Sequence, residues 1–359
     1  MSKLKVLDLF SGCGGISLGF ELADYEIAAG IDFNQESIIT HQYNFPQSKS
    51  ICADLMEFSD ELIIKTFKKT KIDVIVGGPP CQGFSSANRW QKENADPRNK
   101  LFFEYLRFVE ILQPKAVVIE NVRGILTRDE GYARNRIFKL LENLGYTVAC
   151  QVLNASDYGV PQNRFRAFFV ALKNNVSKVS FDFDLLHKKP KVTVYEAIGE
   201  LYFLEKKKQA DSFNLQKAPG SEYAKYLRSK ENKVTNHEVI YPAELTQKRI
   251  SFVPQGGNWQ DIPEELFQNV RNNRHSSAFK RLNEKDQSVT IDTGNAHSNY
   301  YHPKYNRIPT VRESARIQSF PDDFIFKGSR TSQYRQIGNA VPPLLAKAVA
   351  DLLKVYLKK

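Results

Sequence analysis

Short apolar runs alternate with helix-like stretches along the first half of the chain, and this alternation limits the possible folds more than any other feature. Helical spacing separates the runs, as at 101–112, where apolar residues recur every three or four positions. Regular alternation of strands and helices predicts an α/β fold with a doubly wound, mostly parallel sheet. The predicted strands are 5–10, 26–32, 51–55, 72–76, 116–120, 147–153 and 167–172.

The alternation stops near residue 188, and the chain is then irregular and rich in Lys, Asn, Gln and Ser. The segment 187–288 carries 18 basic residues against 13 acidic ones. Such a segment fits a nucleic-acid-facing domain, with a solvated insertion as the alternative. A helical pattern at 344–356 then indicates that the chain returns to the first domain. We predict a sheet domain at 1–185 and 331–359, and a smaller inserted domain at 186–330.

The charge of the whole chain favours a polyanionic partner. Its 359 residues have a formal net charge of +11 and a pI of about 9.3. Nucleic acid is the commonest polyanion that basic soluble proteins bind. A lysine-rich surface that binds no polyanion is the alternative.

The cysteines and the absence of long apolar runs indicate the compartment. Cys13, Cys52, Cys81 and Cys150 lie far apart, form no CxxC pair and are not joined by clustered histidines. No zinc site, and no other metal site, is therefore expected. The start of the chain is too polar for a signal peptide, and no apolar run approaches the ~20 residues of a membrane span. We expect free thiols, no membrane contact and a cytoplasmic location.

A glycine-rich turn, DLFSGCGG at 8–15, follows the first predicted strand. Glycines between a strand and a helix let the backbone approach a ligand closely. Asp32 ends the second strand, 20 residues after Gly12, where an acid can bind ribose hydroxyls. Asp54 lies at the end of the third predicted strand and can accept a hydrogen bond from an adenine amino group. The ordered set predicts a nucleoside site, and turn formation is the alternative for each member.

Cys81 follows two prolines in GGPPCQGFS at 77–85, directly after the fourth strand. Proline stiffens the loop, and a stiff loop suits a nucleophile because the reacting geometry then needs no reorganisation. An inert core thiol is the alternative for a single cysteine.

Two further polar runs follow later strands. In ENV at 120–122, a buried Glu120 could donate a proton near neutral pH, or it could cap a helix or pair with a cation. In QNRFR at 162–166, strand alternation puts Arg164 and Arg166 on one face of an extended segment. That face could hold a carboxylate, a phosphate or a base carbonyl.

Eight short motifs occur in a fixed order: DLFSGCGG, GID, AD, GGPPCQGFS, ENV, QNRFR, RIPTVRESARIQSFPDDF and GNAVPP. Together they resemble the bacterial DNA (cytosine-5)-methyltransferase family, and the resemblance covers the chain except for roughly residues 185–285. The departures are small. Pro309 stands where the family often has leucine, and Asp32 stands where glutamate is commoner but should still bind ribose.

The resemblance implies an enzyme that methylates carbon 5 of a cytosine in a short duplex DNA sequence. The methyl donor would be S-adenosylmethionine, with S-adenosylhomocysteine as the product, and the base would be flipped out of the duplex. Cys81 would attack carbon 6, and Glu120 would hold and protonate N3. Arg164, with Arg166, would steady the base and its neighbouring phosphate.

The resemblance also assigns residues to the cofactor and to the DNA. The sheet domain becomes a Rossmann-like catalytic domain, and the insertion becomes a target-recognition domain. The loop after Cys81 would close over the DNA and would contact it through Ser85, Arg89 and Arg98. The cofactor would be bound by Phe10, Ser11, Gly12, Gly14, Gly15, Asp32, Phe33, Asp54, Leu55, Pro80, Leu101, Asn339 and Val341.

The target-recognition domain should read the DNA sequence. Arg and Lys suit guanine edges and Asn suits adenine, and such residues surround the turn-rich stretch before the RIPTVRE motif. A phosphate contact or an exposed surface position is the alternative for each candidate. The candidates are Lys280, Arg281, Thr290, Thr293, Asn295 and His297.

The resemblance further implies a monomer associated with the nucleoid through DNA. A cognate restriction endonuclease would share the DNA site without forming a stable complex. Rival activities stay open. An RNA cytosine methyltransferase could share the catalytic set, although the long insertion argues for duplex DNA. A nicotinamide-dependent oxidoreductase would explain only the glycine-rich turn and Asp32, and a catalytically silent DNA-binding protein would leave Cys81 and Glu120 without a role.

Overall fold

One large sheet organises the part of the chain that the computed structural model describes, which is residues 2–80, 97–177, 179–206, 211–267, 279–291 and 300–358. Its strands are β1 (Lys5–Leu9), β2 (Glu26–Asp32), β3 (Lys49–Cys52), β4 (Val74–Gly77), β5 (Ala116–Val122), β6 (Tyr146–Asn154) and β7 (Phe165–Lys173). They lie in the order β3-β2-β1-β4-β5-β7-β6. Strands β1 to β5 pair in parallel, and β7 runs antiparallel to β5 and β6. The predicted doubly wound, mostly parallel sheet is confirmed.

Strand β3 ends earlier than its sequence pattern predicts. The side chain of Asp54 accepts a hydrogen bond from the backbone N–H of Met56 at 3.0 Å and starts a 3₁₀ turn at Leu55–Glu57. Leu55 is buried in that turn, so its apolar character contributes to the core without extending the strand. Asp54 therefore lies just beyond the strand end, where a carboxylate can face a ligand.

Helices cover the sheet and close the first compact unit. Gly19 allows α1 (Gly15–Leu22) and α11 (Pro343–Leu357) to pack closely, because a Cβ there would lie 2.4 Å from the Cβ of Ala346. The hydroxyl of Tyr25 also donates to the carbonyl of Ala350 at 3.0 Å. Among the described residues, no helix is both long and apolar enough to cross a membrane. The helices of this unit are α1 (Gly15–Leu22), α2 (Gln35–Asn44), α3 (Asp60–Phe67), α4 (Pro97–Leu112), α5 (Tyr132–Asn143) and α11 (Pro343–Leu357).

The chain divides into two compact units. The first holds Met1–Asn154, Phe165–Lys188 and Val341–Lys359, and the second holds Ala155–Arg164 and Lys189–Ala340. The sequence places 155–164 and 331–340 with the sheet, whereas in the structure both segments belong to the second unit. Hydrogen bonds from the first of these segments give the reason, since Gln162 accepts from the backbone N–H of Ile291 at 3.0 Å and donates to Gln318.

The second unit consists of short elements around a buried ionic core. Two residues of α9 (Val311–Ile317) form buried ion pairs. Glu313 pairs with Arg307 at 2.7 Å and Arg316 pairs with Asp322 at 2.5 Å, with all four side chains almost completely buried. Removing one member of such a pair leaves a buried charge and costs about 3–5 kcal/mol. The elements are α6 (Val194–Ile198), α7 (Glu222–Leu227), α8 (Glu244–Phe252), α9 (Val311–Ile317), α10 (Arg330–Asn339), the antiparallel pair β8 (Phe213–Asn214) and β9 (Lys233–Val234), and the parallel pair β10 (Lys280–Arg281) and β11 (Tyr300–Tyr301).

Gly77 is the position in the sheet where a side chain is least tolerable. A Cβ there would lie 2.1 Å from the backbone carbonyl oxygen of Leu9, which cannot move without breaking the β1–β4 pairing. We expect Gly77→Ala to lower the free energy of unfolding by about 3 kcal/mol or more. Gly124→Ala is the matched control, because a Cβ there meets nothing within 4 Å. Urea unfolding of both variants measures the difference, and equal midpoints would contradict the expectation.

Candidate active site

The turn between β1 and α1 has the backbone shape of a ligand cradle. Phe10, Gly12 and Gly14 all have positive φ angles, of 60°, 53° and 102°. A Cβ at Gly14 would lie 2.4 Å from the ring of Phe45, so both conformation and space require glycine. Gly15 begins α1, and its helix N-terminus faces the turn. The turn lies at the carboxyl end of β1, where the backbone N–H groups of Ser11, Gly12 and Gly14 are hydrogen-bonded within the protein.

Asp32 ties this turn to the end of β2. Its carboxylate accepts hydrogen bonds from the backbone N–H of Gly12 at 2.9 Å and of Asn34 at 2.8 Å. Burial raises the pKa of Asp32, and these backbone donors oppose the rise. A carboxylate has about four acceptor positions, so Asp32 can also accept from ribose hydroxyls. Phe33, the next residue, exposes 73% of its side chain and offers a flat apolar surface.

The turn also contains an unsatisfied polar atom. The hydroxyl of Ser11 is buried and has no hydrogen-bond partner among the described residues. Buried polar atoms in native structures are nearly always paired, and exceptions frequently mark ligand or water sites. Together with Asp32 and exposed Phe33, this atom fits a nucleoside cofactor such as S-adenosylmethionine.

The other predicted cofactor residues occupy several places. Leu55 is buried after β3, Pro80 follows β4, and Leu101 is half-buried near the start of α4. Val341 is buried in the first unit, whereas Asn339 is exposed at the end of α10 in the second. Among the described residues, no group of His, Cys, Asp and Glu side chains is arranged to hold a metal ion.

A carboxylate–guanidinium pair lies where β5 and β7 meet. The Nε of Arg166 lies 2.8 Å from Oε1 of Glu120, and the two side chains are 16% and 13% exposed. The β5–β7 register places Val122 opposite Arg166, which brings both charges to one end of the strands. A Cβ at Gly78 would lie 3.1 Å from Oε2 of Glu120, so this glycine leaves space beside the carboxylate.

Asn121 connects this pair to the loop that precedes Cys81. Its Nδ2 donates to the backbone carbonyl of Pro79 at 2.9 Å. The sequence singles out the ENV motif but gives Asn121 no role. Two features could have identified it. Asn121 lies beside an acid at a strand end, and the loop opposite contains prolines, which have no N–H to donate but can accept from an amide through their carbonyls.

The structure shows contacts of Arg164 that the sequence does not predict, and its role at the base stays a prediction. Its side chain is 2% exposed, and its guanidinium donates to the backbone carbonyls of Ile291 at 3.0 Å and Gly338 at 2.9 Å, both in the second unit. Strand alternation does not relate it to Arg166, because β7 begins only at Phe165. The arginine that contacts Glu120 is therefore Arg166, while Arg164 fixes backbone segments.

Arg281, predicted as a base-reading residue, makes many hydrogen bonds within the second unit. Its side chain is buried and donates to four backbone carbonyls and to the amide oxygen of Asn306. Burial lowers the pKa of this guanidinium from its ordinary value. Lys280 donates to the carbonyl of Gly256, and Thr290 donates to the carbonyl of Asn163. Arg281 thus connects backbone segments of the second unit, and its role in reading a base stays a prediction.

Several predicted residues lie outside the described part of the chain. They include the proposed nucleophile and most of the loop that follows it. The residues are Cys81, Ser85, Arg89, Thr293, Asn295 and His297, together with the side chain of Arg98.

A buried polar chain beneath the glycine-rich turn was not predicted from the sequence. Asp8 is completely buried and accepts from the hydroxyl of Ser17 at 2.6 Å and from its backbone N–H at 3.2 Å. That hydroxyl lies 3.3 Å from Nε2 of His41, whose Nδ1 lies 2.7 Å from the hydroxyl of Ser50. Burial raises the pKa of Asp8 to about 7 and lowers that of His41 to about 4.

The two pKa shifts make the stability of the fold depend on pH in opposite directions. Because the folded-state pKa of Asp8 is raised, its contribution is full in acid and is lost as the pH rises from about 4 to about 7. Because the pKa of His41 is lowered, its contribution is full above about 6.5 and is lost as the pH falls towards 4. Between pH 4.5 and 6 the pH dependences of the two contributions largely cancel, because unfolding releases the proton of Asp8 and adds one to His41.

Asp8→Asn should remove the contribution to stability that is lost as the pH rises. Relative to the parent chain, the variant should gain stability as the pH rises from 5 to 8, by on the order of 3 kcal/mol. Urea unfolding at several pH values measures the difference, with the exposed Asp184→Asn as control. A difference between Asp8→Asn and the parent that does not change with pH would show that Asp8 is ionised throughout.

Comparisons with known proteins agree with this geometry. The family model described as C-5 cytosine-specific DNA methylase matches residues 4–354. The Type II methyltransferase M1.HphI of Haemophilus parahaemolyticus is 37% identical over 97% of this chain and 86% of its own length. The Type II methyltransferase M.DdeI of Desulfomicrobium norvegicum is also 37% identical, over 98% and 89%. A prophage-encoded DNA modification methyltransferase structure from E. coli superposes with a TM-score of 0.81 at 28% identity, covering 99% of this chain and 100% of that one.

Proposed function

This chain belongs to the C-5 cytosine-specific DNA methylase family, and from that premise we propose that it methylates carbon 5 of a cytosine within a short duplex DNA sequence. The observation that carries the proposal is the Glu120–Arg166 pair beside the loop that leads to Cys81. Strands β1, β2, β4 and β5 are parallel, so the glycine-rich turn, Asp32, that loop and Glu120 all follow or end strands at one edge of the sheet.

The residues at this edge fit the methyl donor. Asp32 is placed to bind the ribose hydroxyls and Phe33 to pack on the adenine, and Asp54 lies just past β3 as an acceptor for the adenine amino group. The backbone of the glycine-rich turn would contact the rest of the methyl donor. When bound, S-adenosylmethionine supplies a methyl group on a sulfonium and leaves as S-adenosylhomocysteine.

Asp32→Asn tests the cofactor site. The amide keeps one oxygen acceptor but replaces the other with a donor, so one ribose hydroxyl or the Gly12 N–H loses its partner. We expect the affinity for S-adenosylhomocysteine, measured by calorimetry, to fall about 10-fold or more. Asp184→Asn, on the exposed 3₁₀ turn Phe183–Leu185, should bind like the parent. Unchanged affinity in Asp32→Asn would remove Asp32 from the site.

The catalytic residues act on the cytosine ring. Carbon 5 of cytosine is a poor nucleophile because the ring is electron-poor. Addition of the Cys81 thiolate to carbon 6, with a proton passed to N3 from the Glu120 carboxyl, turns carbon 5 into the nucleophilic end of an enamine. After methylation, a base removes the proton from carbon 5 and the thiolate leaves carbon 6, while N3 returns its proton to Glu120. These steps restore the aromatic ring and the free cysteine.

Arg166 orients Glu120 and can also contact the substrate. A guanidinium has five N–H donors, and the bonds to Glu120 and to the carbonyl of Phe165 use Nε and Nη1. The donors that remain suit the carbonyl oxygen of the base or the adjacent phosphate. This assignment gives Arg166 the role that the sequence gave chiefly to Arg164.

The second unit supports the DNA part of the proposal. The segment 187–288 has an excess of basic residues, and the relatives named above are Type II methyltransferases. We infer that this unit reads the target sequence, and that the enzyme is the modification half of a restriction-modification system. It would act as a cytoplasmic, nucleoid-associated monomer, with its endonuclease as a functional but not a physical partner.

Incubation with tritiated S-adenosylmethionine and mixed-sequence duplex DNA tests the function. Label should appear in 5-methylcytosine, and bisulfite sequencing of DNA from expressing cells then gives the site. A parallel incubation with transfer RNA tests the rival RNA activity. Label in RNA but not in DNA would overturn the proposal.

A further inference from the structure

An exposed apolar and cationic surface lies beside the Glu120–Arg166 pair and has no role in the mechanism above. We call it the Arg123 platform and define it by Val122, Arg123 and Phe165. Val122 exposes 58% of its side chain and Phe165 exposes 40%. They flank the point where β5 ends and β7 begins, in the register that pairs Val122 with Arg166.

Arg123 completes this surface. Its guanidinium carbon lies 5.5 Å from the centre of the Phe165 ring, and its side chain is exposed. Stacking on the ring holds the charged group in place without a carboxylate, and an exposed contact of this kind is weak but directional. The residues that the structure describes provide no ion pair to Arg123. Its positive charge is therefore available to an external anion.

The exposed apolar side chains of Val122 and Phe165 are neighbours, which is typical of a binding surface. Scattered exposed apolar residues are normal on soluble proteins, but contiguous ones with a polar rim mark binding surfaces. Here the two apolar side chains are bordered by two guanidiniums, those of Arg123 and Arg166. This combination of a ring and planar cations suits a ligand with phosphates and flat or ring-shaped apolar groups.

We propose that the Arg123 platform binds the sugar–phosphate backbone of the target DNA strand next to the flipped cytosine. This inference rests on the proposed function, because it assumes that a cytosine enters beside Glu120. Arg123 contacts one phosphate, while Phe165 and Val122 pack against the adjoining sugar or an unstacked base. The platform thereby contributes to affinity and to holding the strand open, without reading sequence.

The salt dependence of DNA binding tests the charged half of the platform. Each phosphate neutralised by a protein cation contributes about 0.9 to the slope of log affinity against log salt. Anisotropy titrations of a labelled mixed-sequence duplex, with S-adenosylhomocysteine present, should give Arg123→Ala a slope smaller by about 0.9. Arg123→Lys should keep the parent slope. Lys65→Ala, which removes an exposed charge on α3, is the matched control and should also keep it.

Phe165→Ala tests the apolar half. Loss of stacking should weaken DNA binding roughly 10-fold at every salt concentration and leave the slope unchanged. Parent-like binding of S-adenosylhomocysteine by Arg123→Ala and Phe165→Ala shows that both variants are folded.

The possible results separate this inference from the proposed function. An unchanged slope in Arg123→Ala, while the parent chain methylates DNA, overturns the platform alone. A reduced slope without methylation by the parent keeps the platform and overturns the proposed function. A shift in sedimentation of Arg123→Ala with no change in DNA binding would assign the surface to a second copy of the chain and overturn the inference.

Discussion

Cys81→Ala is expected to abolish methylation, with a loss of about 10⁴-fold or more in kcat, because no other step makes carbon 5 nucleophilic. The matched control is Cys150→Ala, since Cys150 is a partly buried thiol on β6. Burial raises the pKa of Cys150 and of Cys13 above the ordinary value, so neither thiol favours the reactive thiolate. Affinity for S-adenosylhomocysteine and for DNA should be unchanged in Cys81→Ala, which separates loss of the nucleophile from loss of the fold.

A trapped adduct tests the same residue independently. In DNA that contains 5-fluorocytosine, carbon 5 carries fluorine where the final step needs a departing proton. The parent chain should therefore remain covalently attached through Cys81 after methylation, as a band that resists denaturing electrophoresis. Cys150→Ala should form this band and Cys81→Ala should not. A band in Cys81→Ala would show that another residue is the nucleophile.

The fold was predictable because its core strands are buried on both faces. Nearly every residue of β1 and β4 is inaccessible to solvent, and so are the middle of β2 and the first four residues of β5. Each strand therefore contains a largely apolar run that stands out from the helical pattern. Parallel pairing then places the polar residues after these strands at one edge. Asp32 and Glu120 could be located in this way without knowledge of any tertiary contact.

The two arginines of QNRFR show what the sequence could not provide. Whether an arginine in an extended run meets a substrate or the interior depends on where the strand begins and on which carbonyls lie near it. For Arg164 those carbonyls are 127 and 174 positions away in the chain. The hydrogen-bond acceptors of Arg281 are also distant in the sequence, because they come from α8 and from the segment after β11. The local sequence shows that an arginine is present, but contacts with distant parts of the chain decide what it binds.

The polar chain from Asp8 to Ser50 was missed for a related reason. Asp8 lies within an otherwise apolar strand. From the sequence alone, an acid at this place would be interpreted as part of a turn or as a surface residue. The packing of α1 on β1, and of α2 on β2 and β3, supplies Ser17 and His41 as partners. A buried acid inside an apolar run is nonetheless a usable signal, because burial without a partner is costly.

Glu120→Gln is expected to lower kcat by about 10²–10⁴-fold, the usual range for loss of a positioned proton donor. Glutamine has the same shape and can accept from Nε of Arg166 through its amide oxygen, so the geometry of the pair should survive. It cannot supply a proton to N3, and the adduct at carbon 6 then forms without charge neutralisation. Glu142→Gln, at an exposed position on α5, is the control.

Exchange of the carbon 5 hydrogen with solvent locates the affected step. Thiolate addition allows this exchange before any methyl group is transferred, so tritium release from labelled cytosine, without S-adenosylmethionine, reports on addition alone. Glu120→Gln should slow exchange and methylation equally, whereas Asp32→Asn should slow only methylation. Arg166→Ala should slow exchange as well, and the double variant should lose less than the sum of the two, because one pair supplies both effects. Full exchange in Glu120→Gln would instead place Glu120 after the addition step and leave protonation of N3 to another donor.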